Sequence, residues 1–141
     1  MSHTPDDLSG LLMQATRGMR RRWVEALEPV GLSPHEFRAL ATIESTENPR
    51  VGIVAQALRI TPRSATEVVD SLETAGLVVR EPDPTDRRAV IVVLTARGHE
   101  VLAQGQHARS LSHEQHLSGL SDAERDQLAA LLRRVIETSS D

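Results

Sequence analysis

Apolar side chains recur at three- and four-residue steps over residues 6–29. The positions that share this spacing are Leu8, Leu12, Ala15, Met19, Trp23 and Ala26. Because such spacing puts side chains on one face of an α-helix, the pattern predicts an amphipathic helix that Pro29 and Gly31 end. A second helix begins after Ser33, since Ser-Pro-His-Glu combines an N-cap, a proline suited to the first turn and a capping-box glutamate. Its expected inward positions are Phe37, Leu40, Ala41 and Ile43, and Asn48-Pro49 closes it.

The middle of the chain predicts two short helices joined by a tight turn. Thr61 suits the N-cap of the second helix and Pro62 its first position, and Gly76 suits the left-handed residue that follows its end. Two short helices connected in this way are typical of a helix-turn-helix. The expected boundaries are residues 51–58 for the first helix, Arg59-Ile60 for the turn and residues 61–75 for the second helix.

After Gly76 the apolar period changes from 3.6 to 2, which indicates β-strands. Residues 77–80 and 89–94 are the expected strands. The segment 81–88 between them holds two prolines and two aspartates, which are turn-forming residues. The sequence therefore predicts a β-hairpin with a long charged tip directly after the helix-turn-helix, and this order defines a winged helix.

Two further helices are expected at the C-terminal end. Thr95 is suited to cap a long helix over residues 95–118, and Ser121 with Glu124 forms a second capping box. The last helix places Leu128, Leu131, Leu132 and Val135 on one face. The predicted fold is mainly α with a small β-hairpin wing, in one domain over residues 1–141. Within it we expect the winged helix at 30–95, with helices at 6–29 and 95–138 on either side.

Composition excludes several classes of chemistry. The 141 residues include no cysteine, which removes disulfides, thiolate metal sites and thiol nucleophiles. All sixteen basic residues are arginine, so a P-loop lysine and Schiff-base catalysis are absent. His113 and His116 are one residue too close for a His-Glu-x-x-His zinc motif, and we expect solvent-exposed histidines there, as at His107. We predict no catalytic residue, no metal site and no cofactor.

Local charge points to a polyanionic partner. The net charge of the chain is −4, yet residues 48–66 contain three arginines and no acid. Arg63 lies in the first turn of the expected recognition helix, where arginine can grip guanine in the major groove. Hydroxyl side chains nearby suit phosphate oxygens, and arginines at the wing tip can reach a minor groove or its backbone. The candidate DNA-binding residues are Arg50, Arg59, Thr61, Pro62, Arg63, Ser64, Thr66, Arg87 and Arg88.

The chain resembles the MarR family of transcription regulators over nearly its whole length. The segment 71–80 is similar to the C-terminal end of that family's recognition helix and the residues that follow it. The wing sequence Asp83-Pro-Thr-Asp-Arg-Arg88, followed by Leu94-Thr95 and Gly98, is similar to its wing signature. The resemblance implies a homodimer on a pseudo-palindromic double-stranded operator, with a DNA-binding lobe at 30–95 and dimerisation helices at 6–29 and 95–138. It further implies a small ligand near the junction of the two lobes. It also implies that Asp86 braces the wing together with Arg88.

Alternative interpretations stay open for individual features. Trp23 and Phe37 are expected in core or dimer packing, and lining of a ligand pocket is the alternative. The run Arg20-Arg21-Arg22 is expected to be a solvated face. A winged helix used only for protein contact is the alternative to a DNA-binding repressor. Neither a membrane span nor a secretory segment is recognisable, so we expect a cytoplasmic protein. A small enzyme is a second alternative, but it would need converging ionisable groups in a cleft; since the sequence shows none, we expect no enzyme.

Overall fold

The computed structural model describes residues 5–140. Within that range the chain forms six α-helices, one short 3-10 turn and one two-stranded sheet, in the predicted order. The helices are α1 (Pro5–Leu27), α2 (Pro34–Ser45), α3 (Val51–Leu58), α4 (Pro62–Thr74), α5 (Ala96–His116) and α6 (Asp122–Thr138). The strands are β1 (Val78–Pro82) and β2 (Val90–Leu94), and the 3-10 turn Glu28–Val30 follows α1. The predicted fold class is confirmed, with most boundaries within two residues.

Helix starts follow the capping residues of the sequence. The Ser33 hydroxyl accepts a hydrogen bond from the Glu36 amide at 3.1 Å, and the Glu36 carboxylate accepts one from the Ser33 amide at 3.1 Å. Ser121 and Glu124 form the same reciprocal pair at the start of α6. These bonds satisfy amide groups that the first turn of a helix leaves unpaired, so the predicted starts of α2 and α6 are confirmed.

The hydrophobic core lies in the winged-helix half of the molecule. The largest fully buried side chains come from the end of α1, from α2, α3 and α4, from the hairpin and from the first half of α5. They are Leu27, Phe37, Leu40, Val54, Val69, Leu72, Val78, Val92 and Leu102. By contrast, α6 buries no residue in the protomer, although its apolar face has the predicted helical spacing. The winged-helix half therefore buries its apolar side chains within the protomer, whereas the apolar face of α6 stays exposed to solvent.

The hairpin is antiparallel and pairs Val78 with Leu94 at one end and Pro82 with Val90 at the other. Strand β1 thus continues two residues beyond the predicted end at residue 80, because Glu81 and Pro82 extend the ladder before the turn begins. The Val92 amide also donates a hydrogen bond to the Pro49 carbonyl at 2.8 Å. The wing is therefore anchored to the segment that leads into α3.

Candidate nucleic-acid interface

Helix α4 has one buried side and one solvent-facing side. Thr61 caps it, since its hydroxyl oxygen accepts from the Ser64 amide at 3.1 Å, and Pro62 occupies the first turn. Ala65, Val69 and Leu72 face the core. The exposed residues of the helix are Pro62, Arg63, Thr66, Glu67, Asp70, Ser71, Glu73 and Thr74. The N-terminal half of α4 therefore offers a polar face to a partner.

The turn between α3 and α4 is unusually tight. Arg59 adopts a left-handed conformation with φ of 54°, and its amide donates to the Gln56 carbonyl. The Ile60 amide donates to the Ala55 carbonyl at 3.1 Å, which closes the end of α3. A left-handed arginine costs about 1–2 kcal/mol relative to its usual conformations, so the packing of the two helices must hold this turn. The Arg59 side chain is exposed beside the start of α4, where phosphate contact stays a prediction.

Arg63 is the most accessible of the candidate base-reading residues. Its side chain is 92% exposed, and its Nε lies 3.8 Å from Glu67 Oε1, a loose ion pair one helical turn away. The hydroxyls predicted to bind phosphate are used within the chain. Thr61 donates to the Ser64 hydroxyl at 3.0 Å, and Thr66 donates to the Pro62 carbonyl at 3.0 Å. Arg63 therefore stands extended from this part of α4, as does Glu67 one turn further along.

A buried carboxylate organises the wing, and sequence reasoning missed it. Asp83 is 2% exposed, and its Oδ1 accepts from the Thr85 amide at 2.8 Å and the Thr85 hydroxyl at 2.7 Å. Its Oδ2 accepts from Arg50 Nη2 at 2.8 Å and Nε at 3.2 Å. These bonds, those from Thr85 first, lower the pKa of Asp83 from 3.8 to about 2. The bond to the amide two residues on is an Asx-turn, which the Asp-Pro-Thr sequence signals, but the distant arginine carries no local signal.

The structure gives Arg50 ion pairs within the chain, which the sequence did not predict. Arg50 was a candidate for DNA contact, but the structure joins its guanidinium to Asp83 and brings it within 3.8 Å of Asp86. The side chain remains 49% exposed. Its observed contacts are structural: Arg50 ties the residue before α3 to the wing. DNA contact by this residue stays a prediction.

The predicted wing-bracing residue, Asp86, acts on the backbone. Its Oδ1 accepts from the Arg88 amide at 3.1 Å, whereas the Arg88 guanidinium extends into solvent. Arg87 is exposed as well, and no ion pair of either arginine is found in the part of the chain that the structure describes. Asp83 and Asp86 therefore shape the tip on which these two arginines stand.

We expect the Asp83→Asn variant to weaken the wing in a pH-dependent manner. Because the folded-state pKa of Asp83 lies below the unfolded value, its ionised form stabilises the fold above about pH 4, and that stability is lost as pH falls from 3.8 towards 2. The Tm of the variant should fall below that of the wild type at pH 7, with the gap closing near pH 2.5. Thermal denaturation of both proteins at both pH values measures the difference in Tm. Asp126→Asn, at an exposed position of α6, is the matched control, and an equal gap at both pH values would contradict the assignment.

Two acids at the far end of α4 share one arginine of the hairpin. Arg80 Nη2 lies 2.6 Å from Asp70 Oδ1, and Arg80 Nη1 lies 2.9 Å from Glu73 Oε1. The guanidinium offsets part of the charge of the two carboxylates, which reduces their repulsion of a polyanion that approaches α4. Sequence reasoning missed Arg80, because strand and helix positions seven and ten residues apart become neighbours only after the hairpin packs on α4.

Trp23 and Phe37 form a packed pair at the junction of the two halves of the chain. Their ring centroids lie 5.8 Å apart in an edge-to-face arrangement, and the Arg109 guanidinium lies 5.7 Å from the Trp23 ring centre. Phe37 is buried, Trp23 is half-buried, and Trp23 Nε1 finds no hydrogen-bond acceptor in the described chain. Packing by both residues is confirmed. A cavity of about 730 Å³ lies between α1 and α5, but other residues line it: Arg21, Arg22, Glu25, Ala26, Ala108, Leu111, Ser112 and Gln115.

The C-terminal histidines are less exposed than expected. His107 is exposed as predicted, but His113 and His116 are half-buried, and a Cβ at Gly18 would lie 3.5 Å from the His116 ring. Burial lowers the pKa of His113, and the charges of Arg109 and His116 lower it further. Over residues 5–140, no three His, Cys, Asp or Glu side chains converge as metal ligands. In the same range no helix combines the length and apolar character that crossing a bilayer requires.

The fold and the exposed arginines define a winged helix-turn-helix protein. The MarR family model matches residues 32–90. The chain is 34% identical over 136 residues to the uncharacterized HTH-type transcriptional regulator ML2140 of Mycobacterium leprae, covering 94% of this chain and 92% of that protein. It therefore belongs to the MarR family.

Two further relatives extend the comparison. Transcriptional repressor MprA of Escherichia coli K12 is 33% identical over 112 residues, which cover 78% of this chain and 64% of MprA. This chain thus spans slightly less than two thirds of that protein. The crystal structure of CouR from Rhodococcus jostii RHA1 bound to p-coumaroyl-CoA superimposes with a TM-score of 0.77 at 27% identity, covering 95% of both chains. The fold is therefore shared over nearly the whole chain.

Proposed function

We propose that this protein is a homodimeric repressor that binds a specific double-stranded DNA operator and is released from it by a small ligand. The observation that carries the proposal is the solvent-facing start of α4, where the extended Arg63 has only a loose ion pair, while Arg80 offsets part of the charge of Asp70 and Glu73 further along the helix. Family membership and the similarity to the repressor MprA support the same function.

DNA docking follows from the shape of the lobe at residues 30–95. Helix α4 would enter the major groove, with Arg63 at base edges and with Arg59, Thr61, Pro62, Ser64 and Thr66 near the backbone. The wing would place Arg87 and Arg88 at the neighbouring minor groove or its phosphates. A winged helix used only for protein contact is less well supported, because residues 48–66 carry three arginines and no acid.

Homodimerisation would cover the apolar surface that the protomer leaves in solvent. Large apolar side chains on α1 and α6 are 37–55% exposed and border a groove of about 600 Å³; they are Leu8, Leu12, Leu128, Leu131, Leu132 and Val135. A contiguous apolar patch is uncommon on the surface of a monomeric protein, and such a patch marks an interaction site. We infer that residues 6–29 and 95–138 form the dimerisation region of a two-fold symmetric molecule, which matches a pseudo-palindromic operator.

An effector would act through the junction between the two lobes. CouR has the same fold, and its crystal structure holds bound p-coumaroyl-CoA. In this chain, the cavity between α1 and α5 is lined mainly by charged and polar side chains, among them Arg21 and Arg22, which would suit a ligand with negative charge. In one conformation of the dimer the spacing of the two α4 helices would fit the operator, and in another it would not. A ligand that binds the second conformation more tightly would weaken DNA binding by the ratio of its affinities for the two conformations. The proposal requires no catalytic step, and binding to chromosomal DNA would place the protein in the cytoplasm.

Selection of bound fragments from the genomic DNA of the source organism tests the proposed function. We expect the protein to enrich a two-fold symmetric site, and Arg63→Ala to bind that site about 5- to 150-fold more weakly, since one arginine–base contact contributes about 1–3 kcal/mol. Arg133→Ala removes the same charge from an exposed position of α6 and should bind like the wild type. Failure of the folded wild type to enrich any sequence at low salt would refute the proposal.

A further inference from the structure

Glu67 is an exception among the acids of α4. The helix carries three acidic residues, and Arg80 binds two of them, Asp70 and Glu73, at 2.6 and 2.9 Å. Glu67 is 71% exposed, and its one ion pair in the described chain is the 3.8 Å contact with Arg63. Glu67 is thus the one acid of α4 that Arg80 does not bind, and it stands beside the arginine that the proposed function places at base edges.

The geometry of the helix ties Glu67 to Arg63. Residues four apart lie on the same face, about 6 Å apart along the axis, so whatever approaches Arg63 also meets Glu67. In the major groove this carboxylate would be repelled by the phosphates on both sides. It can be accommodated there only where a hydrogen-bond donor on a base edge offsets that repulsion.

Base chemistry restricts the donor. Guanine presents acceptors N7 and O6 in the major groove, and thymine presents the acceptor O4, so both repel a carboxylate. Adenine has an amino donor at N6, but the acceptor N7 stands next to it. Cytosine presents its N4 amino group with no neighbouring acceptor at that edge. A carboxylate in the groove therefore favours cytosine over the other three bases.

We propose that Glu67 is a specificity-determining residue, which accepts a hydrogen bond from the N4 amino group of a cytosine in each half-site, next to the base that Arg63 contacts. The inference rests on the proposed DNA-binding function and adds a base preference to it. The loose Arg63–Glu67 pair would open on binding, since each side chain then gains its own partner on the duplex. Each half-site should therefore contain one position where cytosine is required although no arginine contacts it.

The test compares the sequences that the wild type, Glu67→Gln and Glu67→Ala select from a randomised duplex library. We expect the wild type to prefer cytosine at one position of each half-site by roughly fivefold or more. Glu67→Gln should shift this position to adenine, because a carboxamide can pair with both N6 and N7 of that base. Glu67→Ala should accept all four bases there. Preferences at the other positions should not change.

A charge-matched variant separates base reading from general electrostatics. Glu44→Gln removes one acid from an exposed position of α2, apart from the proposed DNA-contacting residues and the proposed dimerisation helices, and should select the wild-type site. If Glu67→Gln bound every duplex more tightly by one common factor with unchanged base preferences, Glu67 would merely repel phosphate and the proposal would be overturned. Identical preferences and affinities for all variants would overturn it as well. A wild type that selects no sequence would instead refute the DNA-binding function itself.

Discussion

Replacement of Gly98 by alanine should lower the Tm by about 10 °C, the largest effect on stability that we expect from a single methyl group in this chain. A Cβ at this position would collide with the Leu77 carbonyl oxygen and would lie 3.3 Å from Leu94 Cγ. That carbonyl cannot move freely, because it accepts the Thr95 amide at 3.0 Å. The resulting overpacking costs about 3 kcal/mol, which outweighs the helix propensity that alanine gains.

Thermal denaturation at one fixed protein concentration checks this prediction. Gly52→Ala is the matched control, because Gly52 is exposed in α3 and a Cβ there would meet no atom within 4 Å. Its Tm should stay unchanged or rise slightly, since alanine stabilises a helix relative to glycine. Equal Tm values for Gly98→Ala and Gly52→Ala would contradict the prediction, because the close approach of α5 to Leu77 would then not affect stability.

Introduction of aspartate at both Leu128 and Leu132 should convert the dimer to a monomer and reduce operator affinity about 100-fold or more. The two side chains are each 37% exposed in the protomer and lie one turn apart on the apolar face of α6. Two buried carboxylates at a dimer interface carry a large desolvation cost, so the interface should not form. Loss of the dimer removes the gain in effective concentration that links the two half-sites, which is commonly 10²- to 10⁴-fold.

Light scattering after size exclusion gives the oligomeric state, and titration of the operator gives the affinity. Ala130→Asp places the same charge on the opposite side of α6, at an exposed position, and should remain dimeric with wild-type affinity. Circular dichroism should show the double variant folded, since α6 buries no residue within the protomer. A double variant that stays dimeric would place the interface on a different surface.

Local signals in the sequence predicted the elements well, for reasons that are visible in particular residues. Ser33 and Ser121 start their helices with the capping boxes that their neighbours imply, and Gly76 takes the left-handed conformation expected after α4, with φ of 76°. In each case the stabilising bond joins residues a few positions apart. The Leu-Thr-x-x-Gly sequence also has a physical account, since the Thr95 hydroxyl accepts from the Gly98 amide and donates to the Gly76 carbonyl.

The candidate interface was predicted only in part. Exposed positions for Arg63, Arg87 and Arg88 followed from their places at a helix start and a turn. The assignment of Arg50 was incomplete, because its partner Asp83 lies 33 residues away along the chain. Half-burial of His113 and His116 was also missed, since the packing of α5 against α1 decides it. A sequence pattern cannot say which of several arginines a buried carboxylate binds.

The sequence by itself determined the order and type of the elements, the winged helix-turn-helix and the family, because periodicity, caps and turn residues act over a few positions. Only the tertiary structure decided which charges remain available to DNA. It assigned Arg50 to Asp83 and Arg80 to Asp70 and Glu73, and it left Arg63 and Glu67 extended. The physical reason is that ion pairing depends on distances across the folded chain, which packing of the hydrophobic core sets and local sequence does not.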